Sequence, residues 1–474
     1  MPQGPKIVQL PTQGNEYSAT GLESRAQLLA SEVSLSSVDS GAIAPAQAQL
    51  SAAEQMSVAD TVFSSEPFSE PQDFTLTGDV TLSDFEKLPR HIRSLDLSGC
   101  TGIPRGALEH LLGIELVSLD LSSCRIDVDD AKVLARHKTL KELNVSNCHI
   151  ARSEAVALVE SKSITMLDLS CNYIGDSGVA ALVEKAKVNT LKLNGCSIGN
   201  RGAAYLNQIK TLTTLELSHN LIDADGAGEL ATGTTVTSLD LSFNPLGDDG
   251  AIAFEANTVI ESLKLRACTI GDLGAASLAK NPALRLLDLG RNEIRDAGGE
   301  TLGRNATITW LWLDNNEVGS IGVQALGENS ALIHLDLSSN AFDPAFLDSF
   351  AGNTTLKSLD ISHNKIDKMG AESLSRAKAI EDLVAHDCQL DDQCAAHLSR
   401  MAAIRTLDVS RNDLTDTGAE RFAKSTSLRI LDASGNRITW YGAISLFHNK
   451  NPIFFDAGGD PPLNRSTTAA LIGR

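Results

Sequence analysis

Residues 211–231 read TLTTLELSHNLIDADGAGELA, and this stretch decides the fold. From Leu212 it follows the pattern L-x-x-L-x-L-x-x-N. With other apolar residues replacing leucine, and with Asn or Cys at the last position, the pattern occurs fifteen times at intervals of 24 residues. The first apolar positions are Ile92, Leu116, Leu140, Ile164, Val188, Leu212, Val236, Ile260, Leu284, Ile308, Leu332, Leu356, Ile380, Ile404 and Leu428. A weaker sixteenth copy follows at Phe455, Ala457 and Asp460.

A repeat of this length predicts a stack of structurally identical turns, each with one short strand. In the turn around Leu239 and Leu241, these leucines should point inward while Ser238, Asp240 and Ser242 point outward, because strand side chains alternate. We therefore predict an α/β fold, a leucine-rich-repeat solenoid (horseshoe) with parallel strands on the concave face and short helices on the convex face. Such a fold is typical of proteins that bind other molecules.

The second half of each repeat predicts the helix, which begins near a Gly-Ala pair such as Gly226-Ala227 or Gly274-Ala275. These small residues should allow the helix to lie close to the strand layer. Several aspartates precede the glycine by two residues, where an N-cap carboxylate would accept helix N–H groups. They are Asp176, Asp248, Asp272, Asp296 and Asp416.

The repeat also sets the predicted domain boundaries. Residues 1–73 predict a disordered leader rich in Ser, Ala and Gln, because they lack a sustained apolar period. Residues 74–91 predict an N-terminal cap, since an exposed repeat core needs cover. Residues 92–451 hold the fifteen repeats, and residues 452–474 hold the degenerate last repeat and a tail.

Charge limits the classes of partner. The 474 residues include 40 Lys and Arg against 60 Asp and Glu, which gives a formal net charge of −20. Nucleic acid and anionic membranes require a basic face, so neither is expected as a partner. The sequence shows no apolar run long enough to span a bilayer and no cleavable secretory signal. We expect a monomer that binds a host or cytosolic protein.

Six of the eight cysteines occupy the position that is asparagine in other repeats. These are Cys100, Cys124, Cys148, Cys196, Cys268 and Cys388. Both residue types should turn inward after the strand, where asparagine hydrogen-bonds buried backbone and a thiol does so weakly. We predict core thiols in a reducing compartment, with no disulfide framework.

A row of aspartates lies between the two inner leucines, at outward positions of the strands. Its members are Asp96, Asp120, Asp168, Asp240, Asp288, Asp336, Asp360, Asp408, Asp432 and Asp456. One interpretation is an acidic track for a basic partner. The other is a repeat-encoded, solubilising ladder whose serine neighbours help to hydrate it, and a copied unit favours this second interpretation.

Trp310 and Trp312 interrupt the row, and both should point outward from one strand, on the same face. Two tryptophans among Arg and Asp have the composition of a protein-binding hot spot, so we predict a protein-binding site here. The alternative is that they only cover each other and Leu286. The neighbouring turns complete the predicted site with Lys264, Arg266, Asp288, Arg291, His334 and Asp336.

A second cluster has residue types that bind metals: Cys388, Asp391, Asp392, Cys394 and His397. Cys388 falls on the core position and Cys394 replaces the glycine at the helix start, so packing is the better explanation. The sequence shows no phosphate-binding loop, nucleophile elbow or paired acid and base. We therefore predict no catalytic residues, no metal and no cofactor.

The repeat unit resembles that of the GALA leucine-rich-repeat effectors, which plant-pathogenic bacteria inject through a type III secretion system. The likeness is carried by residues 211–225 and by GAGELA at residues 226–231, and it covers about residues 75–450. Members of that family carry an F-box before the repeats, which recruits a ubiquitin-ligase adaptor of the host. This chain departs from that pattern, since Leu88-Pro89 comes nearest to an F-box entry but leads directly into the first repeat.

The leading functional hypothesis is a non-enzymatic type III effector, secreted into the host cell without a cleaved signal, that binds a host protein through its concave face. The leader would then be a secretion signal. A resident cytoplasmic scaffold or inhibitor is the first alternative. A ubiquitin-ligase substrate adaptor or ligase-like effector is the second.

Overall fold

The computed structural model describes residues 73–448 and the backbone of residues 454–456. The predicted leader, residues 1–73, lies almost wholly outside the described residues, and so does most of the predicted tail, residues 452–474. The predicted domain boundaries therefore stay predictions. Among the described residues, no helix is long and apolar enough to cross a membrane.

Seventeen strands form one parallel sheet in the described part of the chain, and each strand pairs with the next along the sequence. From β2 onward the paired residues are 24 positions apart, as in Leu239 with Leu263. The strands are β1 (Asp73–Gly78), β2 (Ser94–Cys100), β3 (Ser118–Asp120), β4 (Glu142–Asn144), β5 (Met166–Asp168), β6 (Thr190–Lys192), β7 (Thr214–Glu216), β8 (Ser238–Asp240), β9 (Ser262–Lys264), β10 (Leu286–Asp288), β11 (Trp310–Trp312), β12 (His334–Asp336), β13 (Ser358–Asp360), β14 (Asp382–Val384), β15 (Thr406–Asp408), β16 (Ile430–Asp432) and β17 (Phe454–Asp456).

Short helices alternate with the strands, which confirms the predicted α/β solenoid. The α-helices are Leu82–Glu86, Val128–Ala135, Arg152–Val159, Gly175–Leu182, Asn200–Leu206, Ala224–Ala231, Gly247–Ile252, Asp272–Leu278, Asp296–Gly303, Ser320–Gly327, Lys368–Leu374, Asp392–Leu398, Asp416–Phe422 and Trp440–Phe447. Two 3₁₀ helices, Ala107–Gly113 and Pro344–Gly352, take the same place in their repeats.

The core lies between the strand and helix layers and consists of the repeated apolar positions. Leu239 and Leu241 are 2% and 0% exposed, and Leu246 beneath them is 2% exposed. Each such side chain contributes about 1.5–3 kcal/mol by leaving water. Because every turn repeats these positions, the core is continuous from Phe85 to Leu446.

The asparagine or cysteine after each strand points inward and hydrogen-bonds buried backbone, as predicted, and it also joins consecutive turns. The Asn244 Nδ2 donates to Leu217 O of the preceding turn at 2.8 Å and to Leu241 O at 3.0 Å, and its Oδ1 accepts from Ile222 N at 3.0 Å. A cysteine keeps only part of this pattern. The Cys268 thiol donates to Leu241 O at 3.3 Å, so a weaker donor replaces the amide at the same place.

The aspartates before the helix glycines cap the helix of the following turn, and the prediction that they cap their own helices is wrong. The Asp248 Oδ1 accepts from Gly271 N at 2.7 Å and from Gly274 N at 2.9 Å. A Cβ on Gly274 would lie 2.7 Å from that oxygen and 2.9 Å from Ala251 Cβ. Glycine is therefore required by the close approach of successive helices.

The repeat after β12 departs from the predicted α-helix. Its glycine position holds Phe346, which is 36% exposed, and Pro344 begins a 3₁₀ helix. At the equivalent Gly322, an added Cβ would lie 2.7 Å from Val318 Cγ1. A phenylalanine cannot occupy so narrow a space, so this segment forms a 3₁₀ helix with its aromatic side chain outward.

β1 forms the described edge of the sheet at the first repeat. It pairs in parallel with β2, with a register shift between Thr75 and Thr77. The helix Leu82–Glu86 contributes Phe85, which is 2% exposed, and Leu88 follows at 7%. These apolar side chains join the core of the first repeat.

The buried cysteines generate a prediction about reactivity. Burial raises the pKa of Cys148 and Cys196 to about 12, so neither thiol should react as a thiolate in the folded protein. Cys171 is the one exposed cysteine of the eight, all of which lie among the described residues. A water-soluble thiol reagent should label one cysteine in native protein and eight after denaturation, measured by mass spectrometry.

The matched control is Cys171→Ser, which should remove native labelling without changing the unfolding transition. Rapid labelling of native Cys171→Ser protein at several positions would contradict the inward placement of the other thiols.

Candidate functional site

The candidate site lies on a surface here called the strand face, which consists of the outward side chains of each strand and of the second residue after it. Each turn contributes three positions to this face. In the turn that contains β11, they are Trp310, Trp312 and Asp314. Parallel pairing sets Trp310 between Leu286 and His334. The same pairing sets Trp312 between Asp288 and Asp336. The register thus brings together residues that are 24 positions apart in sequence.

Three aromatic rings form a cluster on the strand face. The ring centroids of Trp310 and Trp312 lie 6.0 Å apart at an interplanar angle of 26°. His334 lies 5.0 Å from both indoles, stacked on Trp310 and tilted against Trp312. Both tryptophans point outward as predicted, but they are partly buried instead of fully exposed because the rings cover one another.

His334 is an unusual member of this cluster. Its Nδ1 lies 3.0 Å from Ser358 Oγ, while its buried Nε2 has no hydrogen-bond partner among the described residues. Burial lowers the pKa of His334 to about 4. The imidazole is therefore neutral at pH 7 and leaves one nitrogen without a hydrogen bond.

Arg266 connects three turns on one side of the tryptophans. Its Nη1 and Nη2 donate to the two carboxylate oxygens of Asp314 at 2.8 and 2.6 Å, and Nη1 lies 3.4 Å from Asp288 Oδ1. The guanidinium crosses Gly290, where an added Cβ would overlap Nη1. A bidentate arginine–carboxylate contact of this kind is strong and fixes the orientation of the guanidinium. Asp314, whose side chain is 5% exposed, is part of the site although it is not among the residues predicted from sequence.

The other predicted cations are placed differently. Lys264 pairs in register with Asp288 and attracts its carboxylate. Arg291 follows Gly290 in the left-handed region, with φ at 57°, and its N–H donates to Asp314 O at 2.7 Å. Arg291 is exposed at the end of the strand face, beside the cluster.

The aspartates of the row have a structural function that neither sequence interpretation included. Each accepts a hydrogen bond of 2.7–2.9 Å from the backbone N–H two residues later, which holds the chain as it leaves the strand. This contact is made by Asp96, Asp120, Asp168, Asp240, Asp288, Asp336, Asp360, Asp408 and Asp432. The side chain of Asp456 lies outside the described residues.

The environment of these carboxylates changes around the tryptophans. Burial raises the pKa of Asp288, against the attraction of Arg266. Burial and the neighbouring Asp360 and Asp314 raise the pKa of Asp336 well above its ordinary value. The pKa of Asp360 rises to about 6, mainly by burial. The aromatic cluster therefore adjoins carboxylates that resist ionisation.

The second cluster, whose residue types can bind metals, makes structural contacts instead. The Cys388 thiol donates to Ile361 O at 3.3 Å. Asp391 caps its own helix by accepting from Gln393 N at 2.9 Å, and Asp392 accepts from Thr415 N at 2.9 Å. Among the described residues, no group of three or more potential ligands could hold a metal ion.

The Arg266 bridge generates a stability prediction. Gly290→Ala should displace the guanidinium and lower the free energy of unfolding by about 1–3 kcal/mol, because a partly buried ion pair loses its geometry. Urea unfolding measures the change. In an Arg266→Ala background the same substitution should have a smaller effect, and equal effects in both backgrounds would show that no bridge constrains Gly290.

Comparisons with known proteins bear on the fold. Two family models, both described as leucine rich repeat, match the chain, the first at residues 306–366. The second matches residues 116–135, 160–183, 208–231, 234–254, 256–279, 280–303 and 404–423. No curated protein sequence matches the chain significantly.

Several solved structures are similar at low sequence identity. The TLR13–ssRNA13 complex is 18% identical, covers 80% of this chain and 67% of its own, and has a TM-score of 0.43. An internalin from Listeria monocytogenes is 19% identical, with coverages of 73% and 88% and a TM-score of 0.43. The mouse RP105/MD-1 complex is 18% identical, with coverages of 82% and 64% and a TM-score of 0.47. With its own parallel sheet and alternating helices, the described part of the chain is a leucine-rich-repeat solenoid.

Proposed function

We propose that the protein is a non-enzymatic binding protein whose strand face, from β9 to β13, contacts a partner protein. The observation that carries the proposal is the cluster of Trp310, Trp312 and His334 on a rigid sheet. Repeat architecture requires only inward residues, so nothing in the core calls for two indoles at these outward positions. Large aromatic side chains dominate the energetics of protein interfaces.

The order within the cluster favours binding. Each indole is already held by a neighbouring ring, so a partner that covers it immobilises little additional side chain. Arg266 is likewise held by Asp314 before any partner arrives. A preformed surface of this kind loses less conformational entropy on association than a flexible one.

The charged residues around the cluster supply specificity. Lys264 and Arg291 provide positive charge on one side, and the carboxyl group of Asp336 lies on the other. Different polar groups on two sides of an apolar centre fix the orientation of a partner.

For the biological setting, we propose a bacterial type III effector that binds a host protein. The resemblance of the repeat to the GALA effectors supports this proposal, as does the serine-rich composition of the leader. A resident cytoplasmic scaffold or inhibitor would use the same surface within its own cell. A ubiquitin-ligase adaptor is the weaker alternative, because an F-box pattern is missing from the sequence before the repeats.

The double substitution Trp310→Ala with Trp312→Ala tests the binding surface. We expect affinity for a partner captured from plant extract to fall by at least ~100-fold, equivalent to about 2.7 kcal/mol. The fold should persist because neither indole belongs to the inward core positions. Quantitative capture gives the affinity, and circular dichroism checks folding.

A matched control is Met166→Ala, which removes a 36% exposed apolar side chain from the corresponding position of β5. It should leave affinity unchanged. Retained binding by the tryptophan variant, together with loss by the control, would place the contact on the N-terminal turns.

Translocation tests the proposed setting separately. We expect residues 1–75 fused to a reporter enzyme to enter host cells from a bacterium with a working type III system. A secretion-deficient strain is the control. Equal reporter signal from both strains, or none from either, would favour the resident scaffold.

A further inference from the structure

Asp336 and Asp360 are neighbouring members of the aspartate row that lie next to the aromatic cluster. They are partners in the register of β12 and β13, so their strands lie about 4.8 Å apart. Their carboxylates accept from the N–H groups of Ser338 and Ser362, each at 2.8 Å. Within the described residues, neither carboxylate pairs with a lysine, arginine or histidine side chain. Two adjacent carboxylates thus remain uncompensated.

The same surface shows an arginine in contact with two carboxylates of neighbouring turns, one at the row position and one two residues beyond it. Two turns earlier, Arg266 lies across the strands and contacts both Asp288 and Asp314. At β12 and β13 the position equivalent to Arg266 is serine, so no side chain of this kind covers Asp336 and Asp360. The internal contact of Arg266 shows that a guanidinium on this face can contact two carboxylates at once.

The aromatic neighbours independently point to a nitrogen cation. Trp312 pairs in register with Asp336, which places an indole beside the carboxylate. Indole faces attract guanidinium and ammonium groups. His334, on the same strand as Asp336, keeps a buried Nε2 without a partner. Because this imidazole is neutral, it does not repel a cation.

We infer that Asp336 and Asp360, together with Trp312 and His334, form a subsite for an arginine side chain of the partner protein. This inference rests on the proposed function and specifies the chemistry of the partner. The guanidinium would contact the two carboxylates and stack on the indole, as an external counterpart of Arg266.

Proton release should accompany binding. The charged and titratable groups on the neighbouring strands or next to their ends are Lys264, Arg266, Asp288, Asp314, His334, Lys357, Asp382, His386 and Asp408. Of the cations, Arg266 is paired with Asp314 and Lys357 with Glu381. Burial and neighbouring carboxylates raise the pKa of Asp336 and Asp360, so the pair retains protons at higher pH than free carboxyl groups do. A bound cation favours the ionised form, and affinity should therefore rise with pH.

The test uses the full-length protein and N-acetyl-arginine amide, whose only charge is the guanidinium. The indole resonances of Trp310 and Trp312 should shift saturably, with a dissociation constant on the order of millimolar as expected for so small a ligand. Neutral N-acetyl-citrulline amide should cause no saturable shift. The affinity of the arginine probe should increase between about pH 5 and about pH 8.

Asp336→Asn with Asp360→Asn keeps an oxygen for the backbone N–H bonds and removes the charge, so the fold should persist. We expect this double substitution to lower the affinity for the arginine probe by at least ~10-fold. The matched control is Asp96→Asn with Asp120→Asn, an adjacent pair in β2 and β3 without a tryptophan, which should have no effect. Binding of the citrulline probe, equal losses in both variants, or full binding by Asp336→Asn with Asp360→Asn would overturn the inference.

Binding of the captured partner by the two double variants distinguishes the arginine subsite from the proposed binding surface. If the asparagine variant keeps the partner while the tryptophan variant loses it, the arginine subsite is wrong and the binding surface stands. If the tryptophan variant also keeps the partner, the proposed surface is itself wrong.

Discussion

Each turn of the solenoid leaves the sheet through a bend whose backbone groups are buried, and one inward side chain per turn satisfies them. Asn244 is 2% exposed and joins the carbonyl groups of Leu217 and Leu241 to the amide of Ile222. A buried backbone group without such a partner would cost about 1–3 kcal/mol. Because the contact reaches the preceding turn, it also holds successive turns in the register of 24 residues. The strands, helices and surface positions all depend on that spacing.

A fixed spacing leaves the strand face free to vary. The leucines that point inward carry stability, so outward positions can change without loss of the core. Trp310, His334 and Ser358 occupy one position of successive turns yet differ completely in chemistry. Specific surface properties therefore arise where the repeat is broken, as in the aromatic cluster. A rigid sheet presents these departures in a single defined geometry.

The periodic features could be predicted from sequence because they depend on neighbours that the repeat itself defines. Inward leucines, strand positions and the side of the sheet occupied by Trp310 and Trp312 all follow from alternation and register. Contacts that depend on side-chain conformation could not be predicted. Arg266 reaches Asp314, which is 48 positions away, and Asp248 caps the helix of the next turn. Both contacts require knowledge of how far a side chain extends across turns. The sequence did contain one signal, since Arg266, Gly290 and Asp314 interrupt a position that is usually serine.

The aspartate row shows how a structural residue acquires a second property. In every described turn that carries it, the carboxylate accepts the N–H bond that ends the strand, which explains its repetition without a ligand. Next to Trp312 the same carboxylate loses water, and its ionisation becomes less favourable. Arg266 pairs with Asp288 and Asp314, whereas Asp336 and Asp360 have no ion-pair partner among the described residues. A cation from outside that bound this pair would favour its ionised form. Position on the strand face, more than residue type, thus distinguishes a structural aspartate from one that can bind.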